Sequence, residues 1–315
     1  MPNILLTGAG FTRNWGGWLA KELEGDLLGR VHGNERLRML LQNSDSFEEA
    51  LLSLQQEAKR ADGQSSAHLT QLRQAIAESF QAMNLALADR GGLEFSQDRR
   101  LSVMSFLAKF DVIFTLNQDL LLELFYDPHL ETPRRWNGRY WPGIVGRPAD
   151  GLDSIEKVSG KRRVSDVGGP QPNLQPIYKL HGSVDWQDAS GDLFVVGGGK
   201  ESYIQSKPLL VQYFREFQTR LSEPKCRLMI AGYGFADEHV NRLLVAATEA
   251  NPTLGVFHVH PEGRDAVHRG ARERVQIYAP PLLTSLRCFG ESRRPLSSTF
   301  GGDELEHAKL LRFFG

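Results

Sequence analysis

With 315 residues, 41% of them hydrophobic and 24% charged, and a formal net charge of -1, the chain can bury a sizeable core as one large α/β domain or two smaller ones. The balanced charge provides no global field for nucleic acid or an anionic membrane, so direct binding of either is not expected. No apolar run approaches the length of a bilayer span, and two cysteines, Cys226 and Cys288, exclude both a disulfide framework and a four-cysteine zinc site. A soluble protein of the reducing cytoplasm is expected, with Cys226 a core residue. Two basic clusters, Arg134-Arg135 and Lys161-Arg162-Arg163, read as solvated loop charges.

The first apolar run, 4–7, predicts a short buried strand, and Gly8-Ala9-Gly10 marks its turn into a helix over about 15–28. Glycines let the backbone approach an anion, and the free N–H groups of a following helix attract one. The turn is therefore either a phosphate cradle or a structural turn that binds nothing. The fingerprint of hydride-transferring enzymes needs a third glycine, where Arg13 stands, and an acidic residue after a second strand; neither is present.

Helical spacing dominates 34–109, with Leu37/Leu41, Phe47/Leu51/Leu54 and Leu69/Leu72/Ile76/Phe80/Met83 falling on common faces. Ser46 and Glu49 resemble a capping box, and loops are expected at 43–45, 61–66 and 90–92. This stretch predicts a helical insertion between the first two strands, a layer that can also cover a pocket. The second strand, 111–119, ends in Asn117 and Asp119, which are either ligand-facing groups at a sheet edge or caps of the next helix. The aperiodic, Pro/Gly/Arg-rich stretch 127–175 predicts an irregular small subdomain or lid.

A third strand, 176–180, runs into His181-Gly182. A histidine there can serve proton transfer or be purely structural. A short strand is expected at 193–196, then the turn Gly197-Gly198-Gly199 and an amphipathic helix through Leu209 and Phe217. The apolar run from Cys226 ends in Gly232-Tyr233-Gly234, repeating the pattern of the first strand, with Asp237 near the N-cap of the helix after it. Further strands are expected at 254–259, ending at His260, and at 275–278. The segment 303–315 predicts a C-terminal helix whose apolar face packs on this chain or on a partner.

In this order, Gly8-Ala9-Gly10, Thr115-Leu-Asn117-Gln-Asp119, His181-Gly182 and Gly232-Tyr-Gly234 resemble the signature segments of the sirtuin family. The chain lacks that family's four-cysteine zinc ribbon and has Phe11-Thr-Arg-Asn-Trp-Gly-Gly17 where deacylases carry a Gly-Ile-Pro-Asp-Phe-Arg segment. With Gly232-Tyr-Gly-Phe-Ala-Asp-Glu-His-Val-Asn241, it looks like the divergent sirtuin-like group of bacterial anti-phage proteins that hydrolyse NAD.

The resemblance implies a Rossmann-like, doubly wound, mostly parallel α/β sheet with a catalytic domain over 1–300 and a terminal helix over 301–315. It implies NAD as substrate, with no metal and no resident cofactor. Asn117, His181 and Asp119 would be the catalytic residues, with His181 the general base, Asn117 at the ribose or its attacking water, and Asp119 at the nicotinamide end. Gly8, Ala9, Gly10, Phe11 and Thr12 would hold the pyrophosphate side, Gly232, Tyr233 and Gly234 the phosphate or ribose, and His260 the adenosine. Arg13 and Asn14 become candidates for gating or substrate contact. A homo-oligomer and a controlling partner such as a HerA-like ATPase are implied for a defence effector. A deacylase without its zinc ribbon and a non-catalytic NAD or ADP-ribose sensor are the competing readings.

Overall fold

The structure is a computed structural model and describes residues 1–60, 63–130, 135–146, 158, 160–165, 169–197, 199–267 and 287–315. Eleven strands are described: β1 Asn3–Thr7, β2 Val112–Thr115, β3 Arg139–Tyr140, β4 Ile144–Val145, β5 Arg162–Val164, β6 Gln175–Lys179, β7 Gly182–Asp188, β8 Gly191–Phe194, β9 Arg227–Ala231, β10 Gly255–Val259 and β11 Cys288–Ser292. Seven form one sheet in the order β11-β10-β9-β1-β2-β6-β3, and every neighbouring pair is parallel. A parallel sheet is covered on both faces, so its strands read as unbroken apolar runs. Accordingly Ile4, Leu5 and Leu6, Ile113 and Phe114, and Leu228, Met229 and Ile230 are fully buried.

The chain leaves β1 toward β2 on one side and later returns on the other side as β9, so the order reverses at β1. In open α/β sheets ligands bind at such a switch point, outside the carboxyl ends of the strands. β4, β5, β7 and β8 form a separate four-stranded sheet.

Between β1 and β2 the expected helical insertion is present. The helices Glu35–Asn43, Phe47–Arg60, Gly63–Asp89 and Val103–Leu107 bury Leu37, Leu41, Leu51, Leu54, Leu72 and Ile76. The helix Gly63–Asp89 begins inside the loop expected at 61–66. Ser46 caps its helix, its Oγ accepting from the Glu49 N–H at 3.3 Å, but the Glu49 carboxylate takes the Asp45 N–H at 2.8 Å, so the reciprocal half of the box is displaced by one residue.

Several expectations are corrected. No single helix spans 15–28: a four-residue helix, Ala9–Thr12, and a 3-10 turn, Arg13–Trp15, precede a break at Gly16 and the helix Ala20–Arg30. Gly16 has φ 91° and ends the 3-10 turn in a left-handed conformation that halts helical growth. The strand expected at 193–196 is β8, which pairs antiparallel with β7 and stays outside the main sheet. Arg162 is no solvated loop charge. It is 4% exposed and donates from Nε to Asp185 at 2.5 Å. The strand expected at 275–278 lies outside the described residues, as do Arg134, Gly198 and much of 127–175.

The C-terminal helix, Glu304–Leu311, packs on this chain. Phe313 is fully buried against Phe110, Phe257 and Phe289, and Phe106 meets Phe300 and Phe314. Among the described residues no helix is long and apolar enough to cross a membrane.

Candidate active site

The carboxyl ends of β1, β2, β6, β9 and β10 share one rim, where a cavity of about 540 Å³ opens. Gly8, Ala9 and Gly10 reach it from β1, Asn117 and Asp119 from β2, His181 from β6, Gly232, Tyr233 and Gly234 from β9, and His260 from β10. The insertion contributes Phe47, Glu48, Phe80 and Met83, so it covers a pocket as well as forming a layer. Three expected contacts are not brought in. Phe11 and Thr12 do not line this cavity but a separate hollow of about 10 Å³, which they share with Asn117 and Asp119. Asn14 also stays outside, its amide donating to the carbonyls of Gly10 and Phe11 at 3.0 Å each.

The glycines of the two turns are first of all adapted to one another. The Gly8 N–H donates to Ala231 O at 3.0 Å and the Gly10 N–H to Gly232 O at 2.9 Å, so these two groups are already engaged. A Cβ on Gly8 would lie 2.8 Å from Gly232 O, and one on Gly232 would lie 2.1 Å from the Phe11 nitrogen. Gly232 also has φ 66°. Gly234 differs: a Cβ there would meet nothing within 4 Å, which leaves its backbone open to the cavity.

The segment after β9 is braced by side chains from its own helix, Glu238–Ala250. The Tyr233 hydroxyl receives the Asp237 N–H at 3.1 Å and lies 3.0 Å from Asn241 Oδ1, while the Asn241 amide donates to Phe235 O at 2.9 Å. Phe235 is held at φ 56°, a conformation unusual for a bulky residue and sustained by surroundings that fix it.

Asn117 donates to Thr12 Oγ1 at 2.8 Å, which orients its amide at the end of β2. Asp119 accepts the Leu121 N–H, the first of the helix Leu121–Phe125, at 3.0 Å while also lining the cavity. Burial raises its pKa against the opposing charge of Lys179. Behind it lies a buried ionic cluster: Lys179 donates to Glu123 and to Ser183 at 2.8 Å each and to the Asp119 carbonyl at 2.5 Å, and Arg162 pairs with Asp185. The cluster fixes the main chain from which Asp119 projects.

His181 is 3% exposed, and its Nε2 lies 2.9 Å from Nε2 of His239. Burial holds its pKa down at about 3, with Lys200 and His239 adding to the effect and Asp237 opposing it. The ring is therefore neutral at physiological pH. Asp237 receives Lys200 Nζ at 2.8 Å, and the same ammonium reaches Glu48 at 2.8 Å. Burial would raise the pKa of Asp237, but Lys200 and the two histidines outweigh it and keep the group ionised. Gly182, next to His181, has φ 70°, and a Cβ there would lie 2.2 Å from Leu193 O, so its need is room for β8. His260 accepts the Glu262 N–H at Nδ1 at 3.1 Å.

Lys200, Glu48 and His239 did not stand out in the sequence, and Asp237 stood out only as a cap. Nothing in the spacing of 181 and 239 announces their contact. It arises because β6 and β9 deliver their following residues to the same rim.

A family model described as SIR2-like domain matches residues 111–278. No curated protein matches the chain. Among solved structures, a Sir2 homologue carrying a histidine-to-asparagine mutation, in a complex with ADP-ribose, aligns over 98% of this chain and 92% of that one, with 11% identity and a TM-score of 0.44. A likeness at that level carries no argument about the site.

Proposed function

This chain belongs to the SIR2-like domain family, and from that premise we propose that it is an NAD glycohydrolase that releases nicotinamide and ADP-ribose. One observation carries the reading: Gly8-Ala9-Gly10, Asn117, Asp119, His181 and Gly232-Tyr233-Gly234 all line one cavity of about 540 Å³ at the switch point of the sheet. Such a volume suits an extended small molecule whose ends reach different strands.

Cleavage of the bond between nicotinamide and ribose develops oxocarbenium-like charge on the sugar, and water must then attack the anomeric carbon. His181, neutral and at a strand end, would take the proton from that water. Asn117, oriented by Thr12, would hold the ribose or the water, and Asp119 would meet the nicotinamide end. Gly234, with open space before its backbone, would lie under a phosphate or ribose, and His260 would border the adenosine. Phe11 and Thr12 would act on the pyrophosphate side indirectly, by shaping the turn and aiming Asn117. NAD is consumed as substrate in this scheme, with no resident cofactor.

The biological role proposed is that of an anti-phage effector, held silent until an infection by self-assembly or by a partner such as a HerA-like ATPase. A domain over 1–300 would carry the chemistry. The test is incubation of the purified protein with NAD, alone and with candidate partners, with nicotinamide and ADP-ribose separated by chromatography. Release is expected to fall by about 10²–10⁴-fold in His181→Ala and comparably in Asn117→Ala. Equal release in wild type and both variants overturns the assignment.

A further inference from the structure

Among the described residues one group of metal-ligand side chains converges, and it sits at the edge of the cavity: His181, Asp237 and His239, whose donor atoms all lie within 4.8 Å of one another. The two Nε2 atoms are 2.9 Å apart, which is the separation of adjacent ligands at a right angle on an ion with bonds of about 2.0–2.1 Å. Asp237 and His239 stand at the N-cap and in the first turn of the helix Glu238–Ala250, so their spacing is fixed by a rigid element. His181 approaches from the end of β6 and is buried.

The two imidazoles share a hydrogen bond through their Nε2 atoms, so a metal that takes both breaks that bond and shifts one ring to its Nδ1–H tautomer. The cavity, lined by His181 and Asp237, leaves space for further ligands from solvent.

We infer that His181, His239 and Asp237 form a binding site for a divalent transition-metal cation, with two imidazole nitrogens and one carboxylate as protein ligands and open positions toward the cavity. Two histidines and a carboxylate suit zinc, cobalt or iron(II) far better than magnesium or calcium. Lys200 is the competitor. Its ammonium occupies Asp237 in the structure, and it can remain on Glu48, its second carboxylate, when a metal takes Asp237. A bound ion would hold Nε2 of His181 and withdraw it from proton transfer, so metal would act as a brake. Only this last consequence rests on the proposed function.

Cobalt(II) makes the site visible. The full chain, stripped with chelator and dialysed, is titrated with cobalt(II) and then competed with zinc(II) at neutral pH. The expected result is one equivalent bound, with visible ligand-field bands that zinc abolishes. Asp237→Asn and His239→Gln should each weaken binding by at least about 10-fold, the loss seen even for outer ligand partners. Both retain a side chain that can hydrogen-bond at its position, and their folding is checked by circular dichroism. Should either fail to fold, the nitrogen resonances of histidine-labelled wild type give the same answer: zinc must shift those of two of the nine histidines. Absence of saturable binding, binding undiminished in both folded variants, or zinc shifts at other histidines overturns the site. Nicotinamide release is measured in parallel. Metal binding in a protein that cleaves no NAD, alone or with candidate partners, leaves the site intact and counts against the glycohydrolase reading only, whereas unimpaired release with the metal bound overturns the brake.

Discussion

Gly232 and Gly234 lie in one turn and carry opposite constraints. At Gly232 a methyl group would meet the Phe11 nitrogen at 2.1 Å on a backbone already at positive φ. Gly232→Ala is therefore expected to lower stability by about 2–5 kcal/mol, from backbone strain and overpacking together, as read from urea unfolding. Gly234 has space around it, so Gly234→Ala should leave stability within about 0.5 kcal/mol. It should nonetheless raise the KM for NAD, because the added methyl occupies the place proposed for a phosphate or ribose. A KM unchanged from wild type removes Gly234 from the binding surface. The sequence could not separate these two glycines, since both belong to the same Gly-x-Gly signal, and their difference depends on a turn far away in the chain. The same limit hid His239, whose role depends wholly on what His181 does in space.

The elements were legible wherever burial wrote an unbroken apolar run or a helical stripe. β1, β2, β6, β9 and β10 lie where such runs occur, and the insertion follows the leucine spacing. Cys288–Ser292 was missed because an edge strand is paired on one side only, and Cys-Phe-Gly-Glu-Ser has neither alternation nor β-branched residues. The helix expected over 15–28 does not run unbroken because Gly16 takes a left-handed conformation. Arg162 was misjudged because a basic triplet gives no hint that one member finds Asp185 and approaches Glu123 inside the protein. That buried cluster yields a prediction for β6 and the segment after β2. Lys179→Met leaves Glu123 buried without its 2.8 Å partner and should cost about 3–5 kcal/mol, the usual result of removing one side of a buried pair. The measurement is the shift in urea midpoint. A variant as stable as wild type means that Arg162 alone satisfies Glu123.

For the molecule as a whole, acid sensitivity follows from its buried histidines. His181 is held down at about 3 and His258, 2% exposed, at about 4, burial being the main cause in both. At neutral pH both are uncharged whether the chain is folded or not, and they make no difference to stability. Below about pH 6.5 the unfolded chain binds protons that the native one refuses, so stability declines as the pH falls toward 4. By pH 5 the loss should be about 2 kcal/mol for each of the two, measured as ΔG of unfolding near pH 7.5 and near pH 5. Equal stability at both pH values shows that these rings titrate normally in the native state.

The hydrogen bond from the Gly10 N–H to Gly232 O, with the neighbouring backbones too close for any side chain between them, has a consequence for inheritance. Two codons far apart in the reading frame specify a single physical object. A change at one cannot be rescued locally, and a lineage that altered either turn would have to rebuild both at once. Mutational drift should therefore reshape the loops around this rim while the interlocked turns change only as a pair.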